Sequence, residues 1–240
     1  GSGISSEGPF TTNASGIVTT SLMTANSEFG AFTVVADAGS VGTANIPLEN
    51  LPWKWYVSNT GNDSNSCYVP TEPCATINAA VAKASATDTI YVAEGTYTGT
   101  DLTVVTIQKS ITLSGGWNNG FTSQTGYSTI DGQNARRGMD ISGPLTVNLD
   151  HFEVMNGKGS GISSYQAILT VGHSYFHDNN YDGGYGGGIR SSSGKLNISR
   201  STFYNNSARS GGGVYVSGYN SYEAVLNYVT ISGNHADYGG

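Results

Sequence analysis

The chain is poor in charge. Of its 240 residues only 11% are Asp, Glu, Lys or Arg, against about a quarter in ordinary soluble domains. The balance is acidic, −7 at neutral pH, and no basic stripe occurs. Such a surface would repel the phosphates of a nucleic acid, so no nucleic-acid partner is expected. Long apolar runs are missing too. The longest fall far short of the ~20 residues that cross a bilayer as a helix, so no membrane insertion is expected in these residues, and no secretory leader is read. Cysteine is nearly absent, with Cys67 and Cys74 separated by six residues in a stretch rich in Asn, Ser and Pro. A pair this close can close a small disulfide ring in an oxidising compartment. The other reading is two unrelated thiols, and a metal would need further ligands that are not nearby.

Gly, Ser, Thr, Asn and 15 Tyr fill the gap. They are arranged in a repeated phrase, an apolar residue followed by Asn and then a glycine cluster. It reads Phe176-His177-Asp178-Asn179 with Gly186-Gly187-Gly188-Ile189, Phe203-Tyr204-Asn205-Asn206 with Gly211-Gly212-Gly213-Val214, and Ile231-Ser232-Gly233-Asn234 with Gly239-Gly240. The Asn residues are spaced by 27 and 28 positions, and Phe152 stands 24 before Phe176 as a degenerate earlier copy. A fixed period of this length means a solenoid. Segments 145–149, 167–171 and 195–199 alternate apolar with polar residues over short spans and show no 3.6-residue period, so each turn is strand and corner. Coils of this kind stack as a parallel β-helix. Phe152, Phe176, Phe203 and Ile231 are expected to pile into one core column. Asn179, Asn206 and Asn234 are expected at the corners, where their amides bond to the copies above and below, and the glycines fit sharp bends.

Residues 1–52 differ, with no repeat phrase and three alternating segments, Ile17 to Thr24, Ala31 to Ala36 and Gly42 to Leu48, read as antiparallel strands. The phrases from Asn13 to Asn26, Gly30 to Ala36 and Ile46 to Asn50 resemble the last strands of bacterial immunoglobulin-like repeats of the invasin type. Half of such a sandwich leaves an apolar face and an open edge, to be completed by missing sequence, by the β-helix or by another chain. The opening Gly1-Ser2-Gly3 reads as a tag remnant or the start of a processed fragment. Because Tyr238-Gly239-Gly240 stops inside a repeat, the natural protein is expected to continue.

From 53 to 240 the chain is expected to be solenoid. Ile77, Ala80, Val81 and Ala84 lie at i, i+3, i+4 and i+7 behind Thr76 as N-cap, which marks a short amphipathic helix. Strand patterns follow at Asp88 to Tyr97 and Ile107 to Gly116. This succession resembles the N-terminal entry of the right-handed parallel β-helix, or pectin-lyase-like, superfamily, in which a small helix covers the open end of the barrel. The Phe-x-x-Asn and Gly-Gly-Gly-Ile/Val phrases are similar to the repeats of chlamydial polymorphic outer-membrane proteins and of large bacterial surface proteins. The fold class these resemblances imply is all-β: a right-handed parallel β-helix with a short N-terminal capping helix over 53–240, preceded over 1–52 by part of an immunoglobulin-like β-sandwich.

The superfamily includes polysaccharide lyases and hydrolases, so the resemblance implies candidate chemistry among the ionisable residues. One group is Asp131, Arg136, Arg137 and Asp140, with Arg137 and Asp140 as the candidate catalytic pair. Against it, Ile130-Asp131-Gly132 has the composition of a structural corner. A second group is Asp150, His151, Glu153, His173, His177, Asp178 and Asp182. Alignment on Phe152 and Phe176 puts Glu153 beside His177 and His177 beside Tyr204, one rung of ~4.8 Å apart. No three carboxylates fall at equivalent positions of adjacent coils. His173 and His177 are four apart, a spacing that makes a metal site on a helix but not on a strand and turn. No metal or cofactor is therefore expected. Asn13, Asn62, Asn197 and Asn205 begin Asn-x-Ser sequons. Tyr181, Tyr185, Tyr215, Tyr219, Tyr222 and Tyr238 in the corners suit contact with sugars or proteins, and equally suit shielding of the core. The expected role is that of a secreted or cell-surface structural or adhesive protein, partnered by itself head to tail or by surface glycans and proteins. A carbohydrate-active enzyme and a glycan-binding adhesin are the alternatives.

Overall fold

The computed structural model describes residues 13–17, 30–50, 54–218 and 223–238. The chain divides into two compact units, Gly1–Pro52 and Trp53–Gly240.

In the first unit, strands Gly30–Asp37 and Thr43–Asn50 pair antiparallel around a 3₁₀ turn, Gly39–Val41. Gly39 and Gly42 take positive φ, 61° and 124°, where a side chain would be strained. The register sets Phe32 against Leu48, Val34 against Ile46 and Ala36 against Ala44, so the apolar residues share one face. Ile46 and Leu48 on that face are 47% and 45% exposed. The expected segment Ile17 to Thr24 lies, but for Ile17, outside the described residues, as do Gly1-Ser2-Gly3, Tyr219, Tyr222, Gly239 and Gly240.

The second unit is a parallel β-helix. Its strands form sheets in which every neighbour is the equivalent strand of the adjacent turn, wound in the right-handed sense that a parallel crossover takes. The first sheet runs from Lys54–Val57 through Thr89–Ala93, Ile111–Trp117, Thr146–Asp150, Ile168–Gly172 and Lys195–Ser199 to Glu223–Asn227. The second contains Gly95–Tyr97, Ser128–Asp131, Phe152–Met155, Tyr175–His177, Thr202–Tyr204 and Thr230–Ser232. The third contains Thr103–Ile107, Arg137–Ser142, Ile162–Tyr165, Ile189–Ser192 and Val214–Ser217. The later, longer turns add a fourth, Asn180–Tyr185, Ser207–Ser210 and His235–Tyr238.

Because side chains alternate and registers are parallel, like residues stack. Ile90, Leu113, Leu149, Val171 and Ile198 form one buried column of the first sheet. Ile130, Val154, Phe176, Phe203 and Ile231 form the column of the second. Each fully buried rung contributes about 1.5–3 kcal/mol of hydrophobic stabilisation. In the third sheet Ile107 and Ile141 are followed by Ser164 and Ser191, whose buried hydroxyls have no hydrogen-bond partner.

Phe152 does not occupy the position of Phe176. Val154 does, and Phe152 stands on Ser128, two residues earlier along the strand. The reason is the length of the turn. Only 22 residues separate Gly157 from its equivalent Asn179, against 27 between Asn179 and Asn206, so matching one Phe to the next puts the coils out of register.

The helix spans Ile77–Lys83, capped by Thr76, whose Oγ1 accepts a hydrogen bond from the Ala79 amide at 3.1 Å. It buries Ile77, Ala80 and Val81 against the strands at 54–57, 89–93 and 103–107. Cys67 and Cys74 are disulfide-bonded and fully buried beside it.

Candidate functional site

Two buried polar ladders hold the turns in register. Asn179 and Asn206 are fully buried. Asn179 Nδ2 donates to Val154 O at 2.9 Å and to Asn206 Oδ1 at 2.9 Å, while its own Oδ1 accepts from the Gly157 amide at 2.9 Å. Asn206 repeats the pattern, donating to Phe176 O at 2.9 Å and to Asn234 Oδ1 at 2.8 Å. Asn234 Nδ2 continues to Phe203 O at 2.9 Å. The second ladder is of serines. Ser174 Oγ accepts from the Phe152 amide at 3.1 Å and donates to Gly172 O at 2.6 Å; Ser201 Oγ accepts from the Ser174 amide at 3.1 Å and donates to Ser199 O at 2.8 Å. Sequence reasoning missed it, although a serine two residues before the core residue, as in Ser128/Ile130, Ser174/Phe176 and Ser201/Phe203, was a signal.

The glycine clusters divide the work. Gly186 and Gly211 bend with φ of 71° and 62°. Gly187 and Gly188 are instead needed for close approach, since a Cβ would lie 2.4 Å from Gly212 O and 2.5 Å from Gly213 O of the next turn.

The outer side of the second sheet gathers most of the chemistry. Thr129, Glu153, Tyr175 and Thr202 form one outward column, and Asp131, Met155, His177 and Tyr204 the next. Left-handed residues bound these strands, His151, His173, Arg200 and Tyr228 before them and Asn156, Asp178 and Asn205 after them. Glu153 Oε2 accepts from Thr129 Oγ1 at 2.7 Å, and Glu153 Oε1 lies 3.1 Å from His177 Nε2. His177 Nδ1 is 2.7 Å from Asp178 Oδ2, and Asp178 also contacts the Asn205 amide. Both imidazole contacts are hydrogen bonds only when each ring nitrogen carries a hydrogen. The His177 ring lies flat on Tyr204, centroids 4.6 Å apart and planes 8° apart. The His177 hydrogen bond, reinforced by Asn205, holds the Asp178 carboxyl below its ordinary pKa against a smaller opposing effect of burial. Burial first, and then the negative charges of Asp178 and Glu153, push the Tyr204 phenol up. The expected neighbours Glu153 and His177 thus meet, but diagonally: Glu153 is in register with Tyr175.

On the same side Asp150, His151 and His173 cluster. Asp150 Oδ2 is 2.7 Å from His151 Nδ1 and Oδ1 is 2.9 Å from His173 Nδ1. The two imidazoles stack at 4.9 Å, and Tyr127 stacks on His151 at 5.9 Å and meets Tyr175 edge-on at 4.8 Å.

Arg137 and Asp140 lie on the third sheet, away from these groups in the coil. Arg137 Nη1 is 2.6 Å from Asp140 Oδ1 and its Nε donates to Gly159 O at 3.1 Å, so the pair is bound to itself and to a corner. Asp131 Oδ1 accepts from the Gln133 amide at 2.8 Å and from Asn156 Nδ2 at 3.0 Å, the geometry of a structural bend. Asp182 stands apart in strand Asn180–Tyr185.

The parallel β-helix is thus the class of architecture, and its repeat has a recognisable type. The family model of the Chlamydia polymorphic membrane protein repeat matches residues 200–217, the stretch from Phe203 through Asn206 to the Gly211–Gly213 corner. Among solved structures the chain is similar to a rhamnogalacturonan lyase, at 14% identity over 74% of this chain and 66% of that one, with a TM-score of 0.34. It is also similar to the pectate lyase Pel9A, at 17% identity over 64% of this chain and 54% of that one, with a TM-score of 0.32. The chain therefore spans less than two thirds of the length of either. No curated protein sequence matches it.

Proposed function

We propose that the chain is the structural and adhesive β-helix of a secreted or cell-surface bacterial protein, and that the outer side of its second sheet binds surface glycans. The observation that carries this reading is the aromatic lining of that side. Tyr127, Tyr175 and Tyr204 are 36%, 37% and 37% exposed and stand among Glu153, His177 and Asp178. Exposed ring faces pack against the C–H faces of sugars, and carboxylates and imidazole accept or donate to their hydroxyls. The corner strands are held by side-chain ladders, so the rings are displayed on a rigid support. A glycan array probed with the full chain and with a Tyr175→Ala, Tyr204→Ala double variant tests this. Saturable binding that falls about tenfold or more in the variant supports it; binding that the variant retains overturns the assignment to this side.

A second reading, a polysaccharide lyase or hydrolase, draws on Glu153, His177 and Asp178, proton-transfer groups within hydrogen-bond reach of one another. It requires unsaturated product or loss of viscosity on acidic polysaccharides, lost in Glu153→Gln. Head-to-tail assembly into a fibre or sheath belongs to the same proposal. It is checked by light scattering at rising concentration with electron microscopy, where a persistent monomer removes it.

A further inference from the structure

We propose that Asp150, His151 and His173 form a binding site for a divalent transition-metal ion of the zinc class, which staples two successive turns of the coil. Each residue offers one ligand atom, and these atoms all lie within 4.8 Å of one another. Two imidazole nitrogens and one carboxylate oxygen are a donor set that suits Zn²⁺ and its imidazole-preferring neighbours and is ill suited to Ca²⁺ or Mg²⁺, which take oxygen.

Three features of the backbone build the cluster. Asp150 ends a strand of the first sheet, and His151 follows in left-handed conformation at φ 59°, which brings its ring back beside its own neighbour's carboxylate. His173 repeats that bend at φ 41° on the next turn, so its ring comes to lie over that of His151. Between them, Asp150 is in register with Gly172. A Cβ on residue 172 would stand 2.6 Å from Asp150 Oδ1. Only glycine leaves the carboxylate room to lean across the rung and reach His173, so the space for the shared ligand is part of the fold. On the far side Arg200 does not compete for the carboxylate, since its guanidinium lies over the Tyr228 ring at 5.7 Å.

Metal uptake replaces hydrogens. In the present arrangement the Asp150 oxygens face the two Nδ1 atoms at hydrogen-bond distance. With each neutral ring carrying its hydrogen on Nε2, both Nδ1 lone pairs and one carboxylate oxygen are free for an ion. Zn–N and Zn–O distances of about 2.0–2.2 Å require a modest closure of these part-exposed side chains. Water completes the coordination, and Tyr127 stacked on His151 screens one side of the ring pair. None of the three ligands belongs to the glycan-binding reading, with which the site shares only the neighbouring Tyr127, and its test needs neither Tyr175 nor Tyr204.

The test is isothermal titration of the full chain with zinc chloride in a non-chelating buffer, paired with the visible spectrum of the Co²⁺-loaded protein. One-to-one uptake is expected, with a melting temperature raised by zinc and not by calcium. His173→Asn and His151→Asn, which keep a residue tolerant of the left-handed bend, are each expected to weaken zinc by about tenfold or more. Gly172→Ala keeps all three ligands yet displaces the carboxylate, and is expected to weaken zinc comparably. His235→Gln leaves uptake unchanged. The proposal is overturned by the absence of saturable uptake at millimolar zinc, by affinity that survives His173→Asn, or by calcium binding as tightly as zinc. Circular dichroism of each variant separates loss of the site from loss of the fold.

Discussion

The column Asn179, Asn206 and Asn234 and the column His151, His173 and Arg200 both place one side chain on each turn at a corner of the same coil, and they follow opposite rules. The asparagines are identical, their hydrogen bonds run from turn to turn, and the first two are fully buried. In that setting only a group with both donor and acceptor can satisfy the copy above and the copy below, so the identity of the residue is fixed. The residues of the second column are part-exposed or exposed and share their left-handed backbone but not one identity, two histidines being followed by an arginine. Water satisfies what neighbours do not, so the side chains are free to differ and to acquire chemistry. The interior of a turn specifies the fold, and its outer side is where one such molecule can differ from another.

The contrast can be broken at several points. Phe203→Ala should have the largest effect. The ring is fully buried and stacked on Phe176 at 4.7 Å, and its loss should cost about 3–5 kcal/mol in a urea titration. Asn206→Ala should come next, at about 2–4 kcal/mol, because it strands the Phe176 carbonyl, the Asn179 amide and one lone pair of Asn234 inside the coil. A cost no greater than that of a surface change would mean that water enters the corner and the ladder is ornamental.

Asp178→Asn on the outer side should be smallest, within about 1 kcal/mol at neutral pH, and should show itself in the acid limb. The folded-state pKa of Asp178 is lowered, so its contribution is present above the unfolded value of about 3.9 and fades as pH falls through the lower folded one. Melting curves of the wild-type chain and the variant should therefore converge on acidification below about pH 4. Curves that stay parallel would mean that the His177 contact is not maintained in solution.

Much of the interior was legible in the sequence, and the reason is the same repetition. Asn179, Asn206 and Asn234 announce themselves because a buried amide ladder cannot change residue, and Phe176 and Phe203 because their turns are of nearly equal length. Phe152 misled because its turn is shorter, 22 residues at the Asn position, and nothing local in the sequence measures a corner. The error carried outward. The cluster of Asp150, His151 and His173 depends on the true register, on two left-handed bends and on the glycine at 172, none of which spacing along a strand reveals. Arg137 and Asp140 looked available for chemistry only because their mutual pairing is three-dimensional.

The asparagine ladder has one more property. Its Asn-to-Asn hydrogen bonds all run the same way: Oδ1 accepts from the preceding turn at each residue, and Asn179 and Asn206 each donate one Nδ2 hydrogen to the asparagine of the following turn. The dipoles of the parallel strands lie along the strands, across the coil, whereas the asparagine dipoles lie along the stack, where they add head to tail and each polarises the next. The coil therefore carries a directional electric axis at one corner, with its positive end toward the later turns. Its strength grows with the number of turns, so lengthening such a molecule by one repeat does more than extend it.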